Sequence, residues 1–194
     1  MIAAIVLAAG QSTRMGSPKM VLPWGERTVI GQVISVLITG GVKEILVVTG
    51  GAREEVESAL QDYPVHLVHN PNYACGEMLS TFQTGLSALD EKVTAALITL
   101  GDQPGIEAMV VRSVIQTYQT NHAVIVVPSY QMRRGHPWIL DRALWSAALE
   151  LKKPATLRDF LNQNANLISY LRVETGSILS DLDTPEDYAR LRPK

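Results

Sequence analysis

The chain opens with a strand-like apolar run that leads directly into a cationic loop bracketed by glycines. Residues 2–7 read Ile-Ala-Ala-Ile-Val-Leu, which is typical of a buried strand, and the next twelve read Ala-Ala-Gly-Gln-Ser-Thr-Arg-Met-Gly-Ser-Pro-Lys. Gly10 and Gly16 permit close approach of backbone N–H groups to a ligand, and Arg14 and Lys19 add positive charge with no acid in the loop. The segment is therefore expected to bind phosphate.

Two well-known phosphate-binding motifs are absent from this loop. A Walker A loop requires GxxxxGK[ST], but Gly16 is followed by Ser17. A dinucleotide fingerprint requires GxGxxG, but the residue two positions after Gly10 is Ser12. The spacing therefore excludes both of these phosphate loops.

The segment LAAGQSTRMGSPK instead resembles the LAAGxSxRMGxxK signature of nucleotidyltransferases, most closely the MobA-like NTP transferase family members that act on the molybdenum cofactor. The resemblance runs from residue 2 to about residue 188 of the chain. It implies a Rossmann-like nucleotidyltransferase fold and a nucleotide site in the first loop. The nucleotide-binding residues that it implies there are Leu7, Ala8, Ala9, Gly10, Ser12, Arg14 and Lys19.

Net charge, cysteine content and the length of the apolar stretches limit which partners and which cellular compartment are expected. The 194 residues carry a net charge of −2, so no global positive field is available to hold a nucleic-acid polymer. The single cysteine, Cys75, excludes an intramolecular disulfide and a cysteine-rich zinc site. No basic region precedes the first apolar run, and no apolar stretch approaches the roughly 20 residues that span a bilayer. A cytoplasmic protein with no membrane contact is expected.

Short apolar runs alternate with segments of helical period along the chain. This alternation predicts a single domain over residues 1–194, with a mostly parallel sheet in a three-layer α/β/α sandwich, because parallel neighbours need crossover connections. The predicted strands are 2–7, 44–49, 65–68, 94–99, 123–128, 137–140 and 167–173, and the predicted helices are 28–39, 53–61, 76–90, 107–119, 141–149, 156–162 and 185–191.

Four loops are expected to meet at the carboxyl ends of these strands, where ligands bind in open α/β sheets. They are residues 8–19, 50–52, 70–76 and 101–106. A ligand crevice is therefore predicted at that edge of the sheet.

A second motif, Leu-Gly-Asp-Gln-Pro-Gly, follows the apolar run of residues 95–99 and places an acid at Asp102. Mg²⁺ is usually held by one or two carboxylates together with substrate phosphates, so Asp102 is a candidate metal ligand and catalytic residue. The same motif is also typical of a tight turn in which an aspartate bonds its own backbone, and both interpretations stay open on the sequence alone.

A possible partner for Asp102 lies far downstream in the segment DLDTPED, residues 181–187. Thr184 is the predicted helix N-cap and Asp187 the reciprocal acid of a capping box, so the cap does not require Asp183. The family resembled uses acids of GDxP and DxDTPED motifs to hold magnesium, which implies Asp102 and Asp183 as the metal ligands. Asp183 is alternatively a redundant acid that stabilises the helix start by about 0.3–1 kcal/mol.

Two carboxylates, one divalent cation and a cationic loop suit phosphoryl or nucleotidyl transfer, in which positioning and charge neutralisation supply most of the acceleration. The inferred reaction is attack by a substrate phosphate or hydroxyl on the α-phosphorus of an NTP, with pyrophosphate leaving. Lys19 would neutralise charge on the transferring group, and Arg14 would hold the β- and γ-phosphates. The alternative is that both are ordinary solvated cations.

The middle of the chain carries further matches. The segment beginning Asn70-Pro71 is similar to the NPxxxxGxxxS segment that borders the nucleotide in the family, which implies Asn70, Gly76 and Ser80 as nucleotide-binding residues; ordinary turn and helix roles are the alternative. The segment Arg-Arg-Gly-His-Pro resembles the RGHP element that lies against the acceptor. The acceptor-binding candidates are Arg134, His136 and, more remotely matched, Arg158. A structural role for His136 is equally open.

The resemblance implies a Mg²⁺-dependent nucleotidyltransferase that joins CMP from CTP to the phosphate of molybdopterin, with transient contact with a molybdoenzyme. CTP is favoured over GTP because relatives that use GTP typically have LAGG where this chain has LAAG. Two alternatives remain: a sugar- or polyol-phosphate nucleotidyltransferase, and a noncatalytic module that binds a nucleotide or chaperones a pterin cofactor.

Overall fold

A computed structural model describes residues 1–12 and 15–193, with backbone alone for the helical residues 76 and 77. Strands and helices alternate along most of the chain. The strands are β1 (Ile2–Ala8), β2 (Pro23–Trp24), β3 (Arg27–Thr28), β4 (Glu44–Thr49), β5 (His66–His69), β6 (Ala95–Leu100), β7 (Ile125–Tyr130), β8 (Arg133–Arg134), β9 (Trp138–Asp141) and β10 (Ile168–Arg172). The α-helices are α1 (Val29–Thr39), α2 (Arg53–Ala59), α3 (Tyr73–Ala88), α4 (Ala108–Asn121), α5 (Trp145–Leu149), α6 (Leu157–Gln163) and α7 (Pro185–Leu191).

One mostly parallel sheet forms the centre of the molecule, in the order β10-β7-β9-β6-β1-β4-β5, with β8 paired to β7. β1 is parallel to both of its neighbours, β4 and β6, and β5 and β10 also pair in parallel. β9 is antiparallel to β6 and β7. The connection from β7 to β9 is too short for a parallel crossover, which takes a dozen or more residues, so the chain must reverse there.

Helices cover both faces of this sheet. Alternate residues of β1 point to opposite sides: Ala4, Val6 and Ala8 join one apolar cluster, and Ala3, Ile5 and Leu7 join the other. The first cluster is completed by α1, α2 and α4, and the second by α3, α5 and α6. The chain therefore has the predicted three-layer α/β/α architecture.

Details at the element ends differ from the sequence prediction. α3 begins at Tyr73, before the predicted residue 76, and residues 142–144 form a 3-10 turn ahead of the shorter α5. The hairpin of β2 and β3 was not predicted, because two-residue strands leave no periodic signal. α7 has the predicted capping box: the Thr184 hydroxyl accepts from Asp187 N–H, and the Asp187 carboxylate accepts from Thr184 N–H.

α7 packs away from the main layers, on the β2–β3 hairpin. Trp24 and Leu182 are buried there, and the Tyr188 hydroxyl donates to the Pro23 carbonyl oxygen. This packing places the segment before α7 next to the loop that follows β1. Across residues 1–12 and 15–193, no helix combines the length and apolar character that crossing a membrane demands.

Candidate nucleotidyl-transfer site

A lysine from the first loop lies between two acids from distant parts of the chain. The Lys19 Nζ donates to Asp102 Oδ2 at 2.5 Å and to Asp183 Oδ1 at 3.2 Å. The Lys19 and Asp102 side chains are only 10% and 15% exposed, whereas that of Asp183 is 39% exposed. The two carboxylates are therefore close enough to share one cation, as the sequence analysis required.

Backbone contacts bring these three residues together. Asp102 follows β6, where the Gly101 N–H donates to the Leu7 carbonyl of the neighbouring β1. The Leu182 N–H donates to the Asp102 carbonyl oxygen at 3.0 Å, which ties the segment before α7 to the end of β6. Because Thr184 and Asp187 satisfy the helix cap, Asp183 faces Lys19 instead.

The electrostatics of Lys19 keep it charged. Burial alone would lower the pKa of its ammonium, but the adjacent charge of Asp102 and the hydrogen bonds to both acids outweigh this effect and raise the pKa above its usual value. A third acid, Asp181, stands at the edge of the same group. Partial burial, together with the charges of Asp102 and Asp183, raises the pKa of the Asp181 carboxyl. The site thus concentrates negative charge around the ammonium of Lys19.

Ser12 organises the described part of the first loop. It adopts a left-handed backbone with a φ of +52°, its carbonyl accepts from Met15 N–H, and its hydroxyl accepts from Lys19 N–H at 3.1 Å. Ser12 therefore positions Lys19 directly, a role that the family resemblance alone did not define. Gly16 is also left-handed, with a φ of +67°. The predicted Arg14 lies outside the described residues.

A cavity of about 220 Å³ opens between the first loop and α3. Of the residues predicted to bind the nucleotide, Leu7, Ala9, Gly10 and Lys19 line it. Ala8 does not, since its side chain is buried in the core. The other lining residues, which the sequence analysis did not single out except for Asp102, are Gln11, Met20, Tyr73, Met78, Thr81, Leu100 and Asp102.

Asn70 and Ser80 are not among the lining residues of this cavity. Asn70 is 1% exposed, and its amide donates to Ser80 Oγ at 2.9 Å and to Thr81 Oγ1 at 3.1 Å. These bonds hold the loop after β5 against α3 and so position Thr81, which does line the cavity. Gly76 lies in α3, where only its backbone is described.

A second cavity of about 810 Å³ adjoins the first, and Met78 and Leu100 line both. All three predicted acceptor residues, Arg134, His136 and Arg158, line this second cavity. Lys153 lies at its wall and donates to the Cys75 carbonyl oxygen, which links this cavity to the start of α3.

His136 lines the second cavity, and its backbone is hydrogen-bonded to a neighbouring segment. Burial lowers the pKa of its imidazole to about 4, so the ring is neutral at pH 7. Its N–H group on the backbone donates to the Ile178 carbonyl at 3.1 Å, and a Cβ added to the preceding Gly135 would lie 2.4 Å from the same oxygen. Only glycine fits at position 135, which explains the tight Gly-His-Pro segment. A neutral histidine donates one hydrogen bond from one ring nitrogen and accepts one at the other, but it adds no charge.

Gln103 is a candidate that the sequence analysis missed. It is 2% exposed and lines the second cavity, and its amide donates to Asp181 Oδ1. Its Oε1 has no hydrogen-bond partner in the described part of the chain. Because buried polar atoms are normally satisfied, this oxygen marks a place for a ligand or water donor. Its position beside Asp102 in the GDQP motif was the available signal.

The donor set fits a hard divalent cation. Asp102 and Asp183 offer carboxylate oxygens, and the ammonium of Lys19 between them shows that this position accepts positive charge. Within residues 1–12 and 15–193, no cluster of three or more acid, histidine or cysteine side chains forms a complete metal cage. Two carboxylates are nevertheless what Mg²⁺ commonly takes when phosphates and water complete its shell.

Comparison with known proteins assigns the family. Residues 4–167 match the MobA-like NTP transferase domain. The chain is 29% identical to nicotine blue oxidoreductase of Paenarthrobacter nicotinovorans, over 98% of this chain and 96% of that protein. It is 26% identical to the molybdenum cofactor cytidylyltransferase of Escherichia coli, over 96% of this chain and 93% of that protein.

Solved structures agree with the architecture. Rv0371c of Mycobacterium tuberculosis superposes with a TM-score of 0.85 at 27% identity, covering 98% of this chain and 96% of that one. A second structure of that protein, with a TM-score of 0.80 at 27% identity and coverage of 98% and 97%, is a complex with manganese. The family match covers most of the chain. The chain therefore belongs to the MobA-like NTP transferase domain family and is a nucleotidyltransferase.

Proposed function

We propose that this enzyme, acting as a single domain over residues 1–194, transfers CMP from CTP to the phosphate of molybdopterin, the organic part of the molybdenum cofactor, and releases pyrophosphate. The observation that carries the proposal is the meeting of Lys19, Asp102 and Asp183 beside the smaller cavity, which Lys19 and Asp102 line and which adjoins the larger cavity at Met78 and Leu100. One cavity is bordered by the predicted phosphate loop and the other by the predicted acceptor residues. Similarity to the E. coli cytidylyltransferase supports the choice of nucleotide and acceptor.

The smaller cavity suits the nucleoside triphosphate. Gly10 lines it, and a Cβ added there would meet nothing within 4 Å, so the loop leaves room for close approach of phosphate oxygens to its backbone. Lys19 then provides a protonated ammonium at the side of the cavity that faces Asp102. We assign Lys19 to charge neutralisation on the α-phosphate and Arg14 to the β- and γ-phosphates.

Asp102 and Asp183 would hold Mg²⁺ in this site. The bound ion would supply neutralisation of phosphate charge during attack and departure of pyrophosphate. The two carboxylates also orient Lys19, because each accepts a hydrogen bond from its ammonium. Manganese in a structure of Rv0371c supports a divalent cation in this fold.

The larger cavity suits a phosphorylated, partly apolar acceptor. Arg134 and Arg158 provide positive charge, Trp138 and Val127 provide apolar walls, and neutral His136 offers a hydrogen bond. This mixture matches a pterin carrying a phosphate better than a nucleic-acid polymer. We further propose a cytoplasmic location and transient contact with a molybdoenzyme that receives the product.

Pyrophosphate release tests the proposal directly. The purified enzyme is incubated with CTP, GTP or ATP, with and without Mg²⁺ and molybdopterin. We expect release that requires CTP, Mg²⁺ and the acceptor together, and a loss of at least about 100-fold in turnover for Asp102→Asn, since such charge-stabilising groups contribute on that scale. The matched control is Asp62→Asn, an exposed aspartate on the turn after α2, which should retain wild-type turnover.

Other results would assign a different function. Turnover with ATP and a sugar phosphate would indicate a sugar-phosphate nucleotidyltransferase. Nucleotide binding without turnover, unaffected by Asp102→Asn, would indicate a binding module. Redox turnover of nicotine blue without pyrophosphate release would indicate an oxidoreductase, as the Paenarthrobacter relative is named.

A further inference from the structure

A third cavity lies on the outer side of the acceptor cavity and is strongly basic. It has a volume of about 1160 Å³, between the β7–β8 hairpin, α6 and the edge strand β10. Four arginines and one glutamate line it, although the whole chain carries a net charge of −2. We call this cavity the outer groove; its charged lining residues are Arg133, Arg134, Arg158, Arg172 and Glu174.

Arg134 is fixed in the outer groove by neutral groups. Its Nε and Nη2 donate to the Tyr170 hydroxyl at 2.9 and 2.6 Å, and its Nη1 donates to Asn162 Oδ1 at 2.8 Å. The guanidinium carbon also lies 5.6 Å from the centre of the Tyr170 ring. These contacts orient the guanidinium without neutralising it, and N–H groups remain for a further acceptor.

The acids of the described chain leave most of this positive charge uncompensated. Arg172 pairs with Glu174 at 3.2 Å, but both side chains are more than 80% exposed, so that pair is weak. No ion pair within 4.0 Å involves Arg133, Arg134 or Arg158 among the described residues. Asp159, which adjoins Arg158 in sequence, forms the capping box of α6; hydrogen bonds from Thr156, with a smaller contribution from the charge of Arg158, lower the pKa of its carboxyl, so Arg158 is partly compensated.

The outer groove continues from the acceptor cavity. Arg133, Arg134 and Arg158 line both cavities, so they form the wall that the two share. A ligand that reaches these arginines from the acceptor cavity therefore enters the outer groove if it extends further.

From this arrangement we propose that the outer groove is a second anion subsite, which binds a phosphate-like or carboxylate group through Arg134 and its neighbouring arginines. A preoriented guanidinium loses little entropy on binding and can grip two oxygens of such a group. If the anion is part of the acceptor, this inference rests on the proposed function and implies that the acceptor carries a second anionic group. If the anion is a separate molecule, the subsite does not depend on the proposed function.

The binding experiment uses inorganic tripolyphosphate as the probe. Calorimetry is run on the purified chain alone, and again with the nucleotide cavity saturated by Mg²⁺ and a non-hydrolysable CTP analogue. Wild-type protein should bind the probe in both cases. Tyr170→Phe keeps the ring but removes the hydroxyl that accepts two hydrogen bonds from Arg134, and affinity should fall about threefold to tenfold, because the guanidinium loses its orientation but keeps its charge. Arg172→Gln should weaken binding about twofold to threefold through lost charge.

Lys92→Gln is the matched control. It removes one positive charge from an exposed turn at the opposite end of β6, and tripolyphosphate affinity should stay within the experimental error of wild type. Thermal melts establish that Tyr170→Phe remains folded, which is expected because Tyr170 is 50% exposed on an edge strand. With the nucleotide cavity saturated, equal affinity of wild type, Tyr170→Phe and Arg172→Gln for the probe would overturn the proposal.

Kinetics then identify the source of the anion. The kinetic variant is Arg172→Gln, because Arg172 lines the outer groove and not the acceptor cavity. If the acceptor supplies the anion, Arg172→Gln raises the KM for the acceptor while the kcat and the KM for CTP stay unchanged, and tripolyphosphate competes with the acceptor. If a separate anion supplies it, Arg172→Gln weakens tripolyphosphate binding and leaves the KM for the acceptor unchanged. Calorimetry needs no turnover, so loss of the subsite and failure of the proposed reaction give distinguishable results.

Discussion

Replacing Lys19 with methionine removes the ammonium that lies between Asp102 and Asp183 while retaining a similar apolar stem. Breaking a buried ion pair from one side costs about 3–5 kcal/mol, because the remaining charge is left without compensation. Asp102 is nearly buried, but Asp183 is 39% exposed and its charge is partly screened by water. We therefore expect the free energy of unfolding to fall by about 3 kcal/mol. For a chain of this length, that loss lowers the Tm by about 6–12 °C.

Divalent cations should partly reverse this loss. Lys19→Met removes the ammonium from Asp102 and Asp183, so an added cation gains more from binding than it does in wild type, where it must compete with that ammonium. The assay is urea and thermal unfolding followed by circular dichroism, with and without millimolar Mg²⁺. Mg²⁺ should raise the Tm of Lys19→Met by more than that of wild type, although the variant lacks transferase activity.

The control for this experiment is Lys92→Met, which removes an exposed lysine and should unfold like wild type at either Mg²⁺ concentration. An unfolding free energy of Lys19→Met equal to that of wild type would refute the compensation argument. An equal effect of Mg²⁺ on the Tm of both proteins would refute cation binding by these two carboxylates.

Three further substitutions separate binding from stability. Gly10→Ala adds a Cβ into open space, so urea unfolding should change by less than about 0.5 kcal/mol, whereas CTP affinity measured by calorimetry should fall about tenfold; unchanged affinity would contradict phosphate binding by the loop. Gly135→Ala places a Cβ 2.4 Å from a backbone oxygen and should lower the free energy of unfolding by about 1–3 kcal/mol, measured by urea unfolding. A variant as stable as wild type would show that the backbone at this position moves without cost. Asp181→Asn should be more stable than wild type at pH 7. The pKa of the Asp181 carboxyl is raised in the folded state, so the protonated group favours folding below pH 3.8, and this stabilisation is lost as the pH rises through the folded pKa. The advantage of the variant in melting experiments should therefore disappear at acid pH, and a pH-independent difference would argue against this titration.

The strands and helices could be predicted from the sequence because their apolar patterns and caps depend on residues close together in the chain. β1, β4 and β6 are continuous apolar runs, and their predicted bounds differ from the structure by at most one residue at each end. The capping box of α7 was readable for the same reason, since its partners lie three residues apart. The antiparallel direction of β9 follows from a short connection, but pairing it between β6 and β7 needed the tertiary structure.

The site was readable only in part. Family-like motifs identified Lys19, Asp102 and Asp183, which the structure brings into contact. They also pointed to Asn70 and Ser80, which hold a loop in place and do not line the nucleotide cavity. Whether a polar residue faces a ligand or its own backbone depends on packing, which a motif does not encode.

By itself, the sequence determined the kind of sheet, the phosphate-type loop after the first strand and the acids with which that loop would work, because apolar period and residue chemistry act over short stretches of chain. Only the tertiary structure decided that Lys19 stands between those acids and that Gln103 joins Asp181 at the acceptor cavity. It also decided that Arg134 is aimed by Tyr170 and Asn162 in the outer groove. These contacts join residues from 28 to 164 positions apart, and only the packing of the layers around the sheet sets which of them meet.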